Sequence, residues 1–291
     1  MKLLEDFCRW LLEDGKSPKT IESYGNDVKH FQLYLMEKAP KESNPLSRFS
    51  FVRYKQDLLD GNYKPSTINK KLNSLKVYND FLLSNNLVNE TFIHLKRDRV
   101  QIASGSERMV QALNDDEVGT VLFYIQDDSK VSIRNRLIVY FLLYTAVRVS
   151  ELVNIKMNDM DLLTQTLTVR GKGGKVREIS LRHDLIDLMQ QYRQGERQVS
   201  KFQDSPYLFV SQRSQKMHRD AVRSWLAIIS EDIGINLHPH LFRRTCATLL
   251  LKRGVPIVTV SKILGHHSVD MTSQMYIQTS RQDKQDALDL L

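Results

Sequence analysis

Residues 238–276 read HPHLFRRTCATLLLKRGVPIVTVSKILGHHSVDMTSQMY, and two punctuation marks divide them. Gly254 followed by Pro256 ends one helix and opens another, because glycine accepts the left-handed conformation past a helix end and proline suits a first turn. Gly265 closes the second helix. Within the first, Phe242, Cys246, Leu249 and Leu250 fall at i, i+4, i+7 and i+8, a stripe that faces a core. His240 and Arg243, three apart, share a neighbouring face and can aim at one point. His266 and His267 follow directly on the Gly265 break, where an irregular turn presents side chains, and Tyr276 comes ten residues after His266. Such a set suits metal-free phosphodiester chemistry, which requires donors for the phosphate oxygens and a phenol to attack.

The 291 residues exceed what one compact core usually spans, so two domains are expected. An apolar content of 41%, with only 12 Gly and 7 Pro, predicts that both fold, largely as helices. The chain holds 42 Lys+Arg against 34 Asp+Glu, a net charge of +8 that favours a polyanionic partner. That excess is spread: the first 98 residues hold 16 basic against 13 acidic side chains, and the remainder 26 against 21. Both parts are basic, as contact of each with one nucleic acid requires. Cys8 and Cys246 sit in helical apolar patterns and predict a reducing compartment rather than a disulfide framework. Glu5, Asp6 and Arg9 argue against a signal peptide, and the longest apolar run, 137–147, is too short for a bilayer. A cytoplasmic protein with no membrane partner is expected.

Working outward from the C-terminal stretch, residues 2–14 carry Leu3, Leu4, Phe7, Leu11 and Leu12 on one helical face and stop at Gly15. Ser17-Pro18 caps a second helix whose Ile21, Tyr24, Val28, Phe31 and Leu35 keep the 3.6-residue period. A third is expected over 48–60, before Gly61. Pro65-Ser66-Thr67 opens a fourth, with Ile68, Leu72, Leu75, Tyr78 or Asn79, and Leu82 as its stripe. Lys70, Lys71 and Lys76 decorate its other side, as a solvated face or as contacts to a phosphate backbone. Residues 97–110 lose periodicity around Ala-Ser-Gly-Ser and read as a linker, so domains of 1–96 and 111–291 are expected. In the second, Asn114 or Asp115 caps a helix, and 134–147 reads as a buried helix. The segment TLTVRGKGGKVREISL (166–181) is a hairpin: Leu167 and Val169 alternate, Gly171-Lys172-Gly173-Gly174 turns, and Val176, Ile179 and Leu181 continue. The phosphate-loop pattern G-x-x-x-x-G-K-[ST] is absent. Helices over 183–198 and 219–232 flank a short strand at 207–210. Arg219, Arg223 and Trp225 can lie against DNA, with the core as the other reading for Trp225. The fold class is mainly α with a small β-hairpin in the C-terminal domain.

Arg148 follows an almost wholly apolar run, and burial of its charge demands a partner. A structural ion pair with Glu151, three residues on, is one reading. His238, His240, His266 and His267 match no common zinc-ligand spacing, and no cofactor is expected. The helix, Gly-x-Pro turn and helix over 240–264 also fit a non-catalytic helix-turn-helix regulator.

The joint pattern resembles the tyrosine recombinase (phage integrase) family in a compact, Xer-like form. His240/Arg243 match its H-x-x-R, Leu264-Gly265-His266 its L-G-H, and Tyr276 its nucleophile. TAVRVSEL (145–152) is similar to the family's T-G-x-R-x-S-E-L, with Ala146 in place of glycine. The hairpin is similar to its G-K-G-x-K-x-R, and residues 17–24 and 66–72 to phrases of its core-binding domain. Arg244 stands where the family often has histidine. The gap from L-G-H to tyrosine is one residue longer than usual, which leaves the second histidine open between His266 and His267. The resemblance implies a two-domain DNA clamp, a helical SAM-like core-binding domain plus a mixed α/β catalytic domain. It makes Arg148, Lys172, His240, Arg243, His266 and Tyr276 catalytic, with Glu151 and His267 in support. Lys70, Lys71, Lys76, Arg219, Arg223 and Arg244 fall to DNA contact. It further implies that a double-stranded recombination site is cut and rejoined through a 3′-phosphotyrosine and a Holliday junction, without metal or ATP. A homo-tetramer on DNA, or one shared with a related recombinase, would do this, with the tail 279–291 docking on a neighbour. A DNA reader that does not cut needs neither Arg148 nor Lys172.

Overall fold

Proline starts the helix around which the N-terminal part is built. In the computed structural model, which describes residues 2–38, 44–101, 112–171, 174–266, 268–269 and 272–273, Pro65 occupies the first turn of α4 (Pro65–Ser84). No backbone donor is lost there, since a first-turn N–H has no intrahelical acceptor. Ile68, Leu72, Leu75, Tyr78 and Leu82 of α4 are fully buried. They face α1 (Lys2–Glu13), α2 (Pro18–Lys38), α3 (Arg48–Asp60) and the short α5 (Leu95–Asp98). A reciprocal Ser47–Ser50 cap starts α3. Edge-on aromatic pairs, Phe7–Tyr78 at 5.2 Å and Phe31–Tyr54 at 5.1 Å, fill the space between helices.

Two expectations for this unit are corrected. Lys71 is not on the outer face of α4; it is 9% exposed and sits 3.8 Å from buried Asp27. Asp27 also takes hydrogen bonds from Lys70 Nζ (2.9 and 3.1 Å) and Ser74 Oγ (2.7 Å). The carboxylate draws the lysine inward, because a buried anion without cations costs several kcal/mol. Residues 97–100, read as the start of a linker, are held to the first unit. Arg48 forks onto Asp98 with two 2.7 Å bonds, and the His94 N–H donates to the same carboxylate. Asn69 exchanges two hydrogen bonds with the Val100 backbone.

The chain divides into two compact units, Met1–Ser106 and Glu107–Leu291. In the second, α6 (Asp115–Ile125) begins with Asn114 and Glu117 capping each other's backbone N–H. Helix α7 (Ile133–Thr145) is apolar nearly all round, and Leu137, Ile138, Val139, Phe141, Leu142 and Leu143 are at most 1% exposed. It packs between α9 (His183–Gln194) and α11 (Pro239–Lys252). The short α8 (Val149–Leu152) follows it, and the unit also holds α10 (Arg219–Ile233) and α12 (Ile257–Leu264).

The expected hairpin forms as β2 (Thr166–Arg170) against β3 (Val176–Ser180), and β1 (Met160–Asp161) adds a third antiparallel strand on the far side of β2. Leu167 opposes Ile179 and Val169 opposes Arg177. The expected strand at 207–210 is corrected to a single bridge between Lys156 and Tyr207. Arg197 holds this segment instead, donating to the carbonyls of Gln203, Ser205, Tyr207 and Leu208. The helix expected to reach residue 198 stops at Gln194, where Gly195 leaves helical geometry.

Candidate active site

The site starts from the end of α7. Ala146 adopts the left-handed conformation (φ 52°, ψ 23°) and is fully buried. The conformation costs an L-residue about 1–2 kcal/mol, and here it turns the chain sharply so that Arg148 becomes the N-cap of α8. A glycine at this position would meet the same geometric demand without strain.

Glu151 lies one turn into α8 and is 7% exposed. Its Oε1 accepts from Arg148 Nη1 (2.8 Å) and Arg177 Nη1 (3.1 Å). Its Oε2 accepts from the Arg148 backbone N–H (2.8 Å) and Arg177 Nη2 (2.9 Å). The ion-pair reading of Arg148 is therefore present, but it does not use up the guanidinium, whose side chain remains 36% exposed. Burial pushes the Glu151 carboxyl up, and the hydrogen bonds from Arg177 and from the Arg148 backbone outweigh it and hold the group below its ordinary value.

Arg243 approaches from α11, three residues after His240, and is 4% exposed. Its Nη1 donates to the Ala146 carbonyl and its Nη2 to the Leu264 carbonyl. Both acceptors end helices, where unpaired carbonyls and the negative dipole end favour a cation. One side chain thereby ties the ends of α7 and α12 together.

Gly265 ends α12 in the left-handed region (φ 62°, ψ 47°) and presents His266. The His266 Nδ1 lies 2.8 Å from Thr272 Oγ1, and Thr272 is fully buried. Burial, with the charges of Arg243, Arg148 and Arg177, lowers the imidazole to about 4. A cleft of about 550 Å³ opens here, lined among others by Arg148, Glu151, Lys175, Arg177, Gly265 and His266. Such a basic hollow fits a phosphate group, and a neutral His266 can donate one N–H to it. His240 is exposed, and burial of part of its ring, then the charges of His238, Arg243 and Arg244, lower its pKa. Lys172, His267, Tyr276 and the tail 279–291 lie outside the described residues. Among the described residues no three His, Cys, Asp or Glu side chains gather as a metal ion would need.

Residues 111–283 match the family model described as phage integrase family, and residues 4–86 match the phage integrase N-terminal SAM-like domain. The chain belongs to the phage integrase family. The tyrosine recombinase XerA of Pyrococcus furiosus is 30% identical, covering 99% of this chain and 93% of its own. The tyrosine recombinase XerC of Pediococcus pentosaceus is 28% identical, covering 99% and 96%. The fold is that of the solved XerH site-specific recombinase bound to a palindromic substrate, with a TM-score of 0.78 at 22% identity over 98% of this chain and 83% of that one. The full-length match makes the chain a tyrosine-type site-specific recombinase, an enzyme acting on DNA; a non-catalytic regulator is not favoured. No helix among the described residues is long and apolar enough to cross a membrane.

The recombinase structure brings Arg148, Glu151, Arg243 and His266 together and sets His240 beside Arg243 on α11. Arg219 and Arg223 lie at the start of α10, each within ion-pair distance of Asp220; Arg223 is close enough to His240 to lower its pKa. Lys70 faces Asp27 and Lys76 bonds Asp80. Arg177 is the last residue of the G-K-G-x-K-x-R match, but the motif reading gives it no role. The signal was available: strand alternation places it on the same inward face as Ile179, where an arginine demands a partner.

Proposed function

We propose that this recombinase cuts and rejoins duplex DNA by transesterification at a phosphate seated in the Arg148–His266 cleft. The partly exposed Arg148 fork and the Arg243 guanidinium hold the non-bridging oxygens, matching planar donors to phosphate geometry and charge. His266 donates its Nε2–H to the same group, with Nδ1 accepting from the Thr272 hydroxyl. The Tyr276 oxygen attacks phosphorus, the bond to the 5′ oxygen breaks, and Lys172 gives that oxygen its proton. The lowered His240 takes the phenol proton. The product is a 3′-phosphotyrosine and a free 5′ hydroxyl, and the bond energy is kept for resealing, so ATP has no step to serve. Attack by the 5′ hydroxyl of a partner duplex reverses the chemistry, with four protomers on two sites exchanging strands in pairs through a Holliday junction. Lys70, Lys76, Arg219, Arg223 and Arg244 act on the DNA backbone around the site, and the tail 279–291 docks on a neighbouring protomer.

The observation that carries this reading is the convergence of Arg148, Arg243 and His266 from three separate segments, with the positive charge of the two arginines felt at the His266 imidazole. A nicked suicide substrate tests it. Tyr276→Phe should bind the half-site normally and form no covalent adduct, and His266→Ala should slow adduct formation more than His267→Ala. Adducts from the Tyr276→Phe protein would assign the attack to another group. A dominant effect of His267 would move the second histidine by one position.

A further inference from the structure

Arg177 is placed where a strand normally puts an apolar side chain. It opposes Val169 and shares the inward face with Ile179, yet its side chain is 13% exposed and carries a charge. Its three hydrogen bonds explain the placement. Nη1 and Nη2 fork onto Glu151, whose other two acceptor positions are filled by Arg148. A carboxylate offers about four such positions, so Glu151 is saturated, and the Arg148 guanidinium is fixed relative to that of Arg177. On the opposite side, Arg177 Nε donates to the Ile263 carbonyl at 3.0 Å, next to the Leu264 carbonyl that Arg243 holds. The guanidinium then passes so close to Gly265 that a Cβ there would lie 3.0 Å from Nη1 and 3.1 Å from Cδ. The residue after Gly265 is His266.

We propose that Arg177 is a positioning residue for strand cleavage, a strut that fixes the Arg148 guanidinium and the Gly265–His266 turn relative to one another. The inference rests on the phosphate-binding reading of Arg148 and His266. Arg148 and His266 come from separate segments, the α7–α8 turn and the end of α12; Arg243 ties their backbones through the Ala146 and Leu264 carbonyls, but that tie alone leaves the Arg148 guanidinium free to turn. The bonds of Arg177 to both sides remove that freedom before DNA arrives. Lysine cannot replace it, because one ammonium on a flexible stem cannot fork onto a carboxylate and reach a carbonyl on its far side. Misplacement of reacting groups by about 1 Å costs on the order of 10²-fold in rate.

The test compares R177K, R177A, R148A and the unsubstituted full chain for half-site affinity, single-turnover adduct formation at saturating DNA, and the His266 imidazole titration by NMR. Expected are half-site affinities within about threefold for the Arg177 variants, adduct formation slowed on the order of 10²-fold, and little recovery from alanine to lysine. The His266 titration should move up in R177A. G265A, which pushes on the same guanidinium from the other side, should slow adduct formation in the same direction without abolishing binding. Cleavage by R177K at the normal rate would reduce Arg177 to a source of charge and overturn the proposal. Loss of cooperative melting in both Arg177 variants would place the residue in the fold alone and also overturn it. Normal cleavage by R148A would instead remove the phosphate-binding reading itself, so the two failures are told apart.

Discussion

Removing the Glu151 carboxylate tests the electrostatic frame of the site. In Glu151→Ala, Arg177 loses both arms of its fork while its side chain stays 13% exposed, and Arg148 loses two bonds, one from its 36% exposed guanidinium and one from its backbone N–H. Breaking a buried pair costs about 3–5 kcal/mol, whereas a half-exposed partner contributes only about 0.5–1 kcal/mol. The loss should be about 3 kcal/mol, or roughly 6–12 °C in Tm for a unit of this size. Glu151→Gln should lose roughly 2 kcal/mol or more, because its amide turns donors toward guanidinium donors. The chain has two tryptophans; in a Trp10→Phe background, Trp225, packed against the second unit's core, reports that unit alone during urea unfolding. The pH dependence has a defined sign. The folded carboxyl lies below its ordinary value of 4.5, so its contribution is present above that value and is lost as pH falls through the folded one. The gap between unsubstituted and alanine proteins should therefore narrow in acid. A loss under about 1 kcal/mol at neutral pH, or a gap that widens in acid, would refute the reasoning.

Ala146→Gly should change stability by less than about 1 kcal/mol, since relief of left-handed strain is offset by unfolded-chain entropy and a lost buried methyl; Ala146→Val should destabilise by more than about 2 kcal/mol in the same urea assay. Asp27→Ala should cost the first unit about 3 kcal/mol by leaving Lys71 buried beside no anion, whereas Lys71→Met should cost much less, as read by thermal melting. The His266 imidazole should titrate near 4 in NMR. Because the unfolded chain binds its proton more readily, stability should rise with pH between about 4 and 6.5 from this group, and a titration near 6.5 would contradict the burial and charges assigned to it.

Much of this was legible in the sequence because the signals are local. Pro65 at a first turn, the Ile68–Leu82 stripe and the Leu167/Val169 alternation each act within a few residues, and the helices and hairpin form where those rules place them. Gly254 and Gly265 mark the breaks on either side of α12 for the same reason. What was not legible depends on partners far along the chain. Lys71 reads as a surface lysine until Asp27, 44 residues earlier, is seen beside it. The segment at 207–210 has strand-like residues, but the carbonyl demands of Arg197 decide its path. Of the site, the H-x-x-R and L-G-H motifs locate Arg243 and His266. The Arg148–Glu151–Arg177 arrangement needs β3, α8 and the end of α12 in one place, which spacing alone does not report.

The central claim is that a tyrosine hydroxyl, not a metal-activated water, attacks the phosphate. Trapping the protein on a nicked recombination site in excess EDTA, digesting the adduct and sequencing the DNA-linked peptide by mass spectrometry tests it most directly. A single peptide carrying a 3′-phosphoryl nucleotide on Tyr276 is expected, formed at an unchanged rate without divalent ions. A linkage on another residue, or cleavage that stops in EDTA and resumes with Mg²⁺, would contradict it.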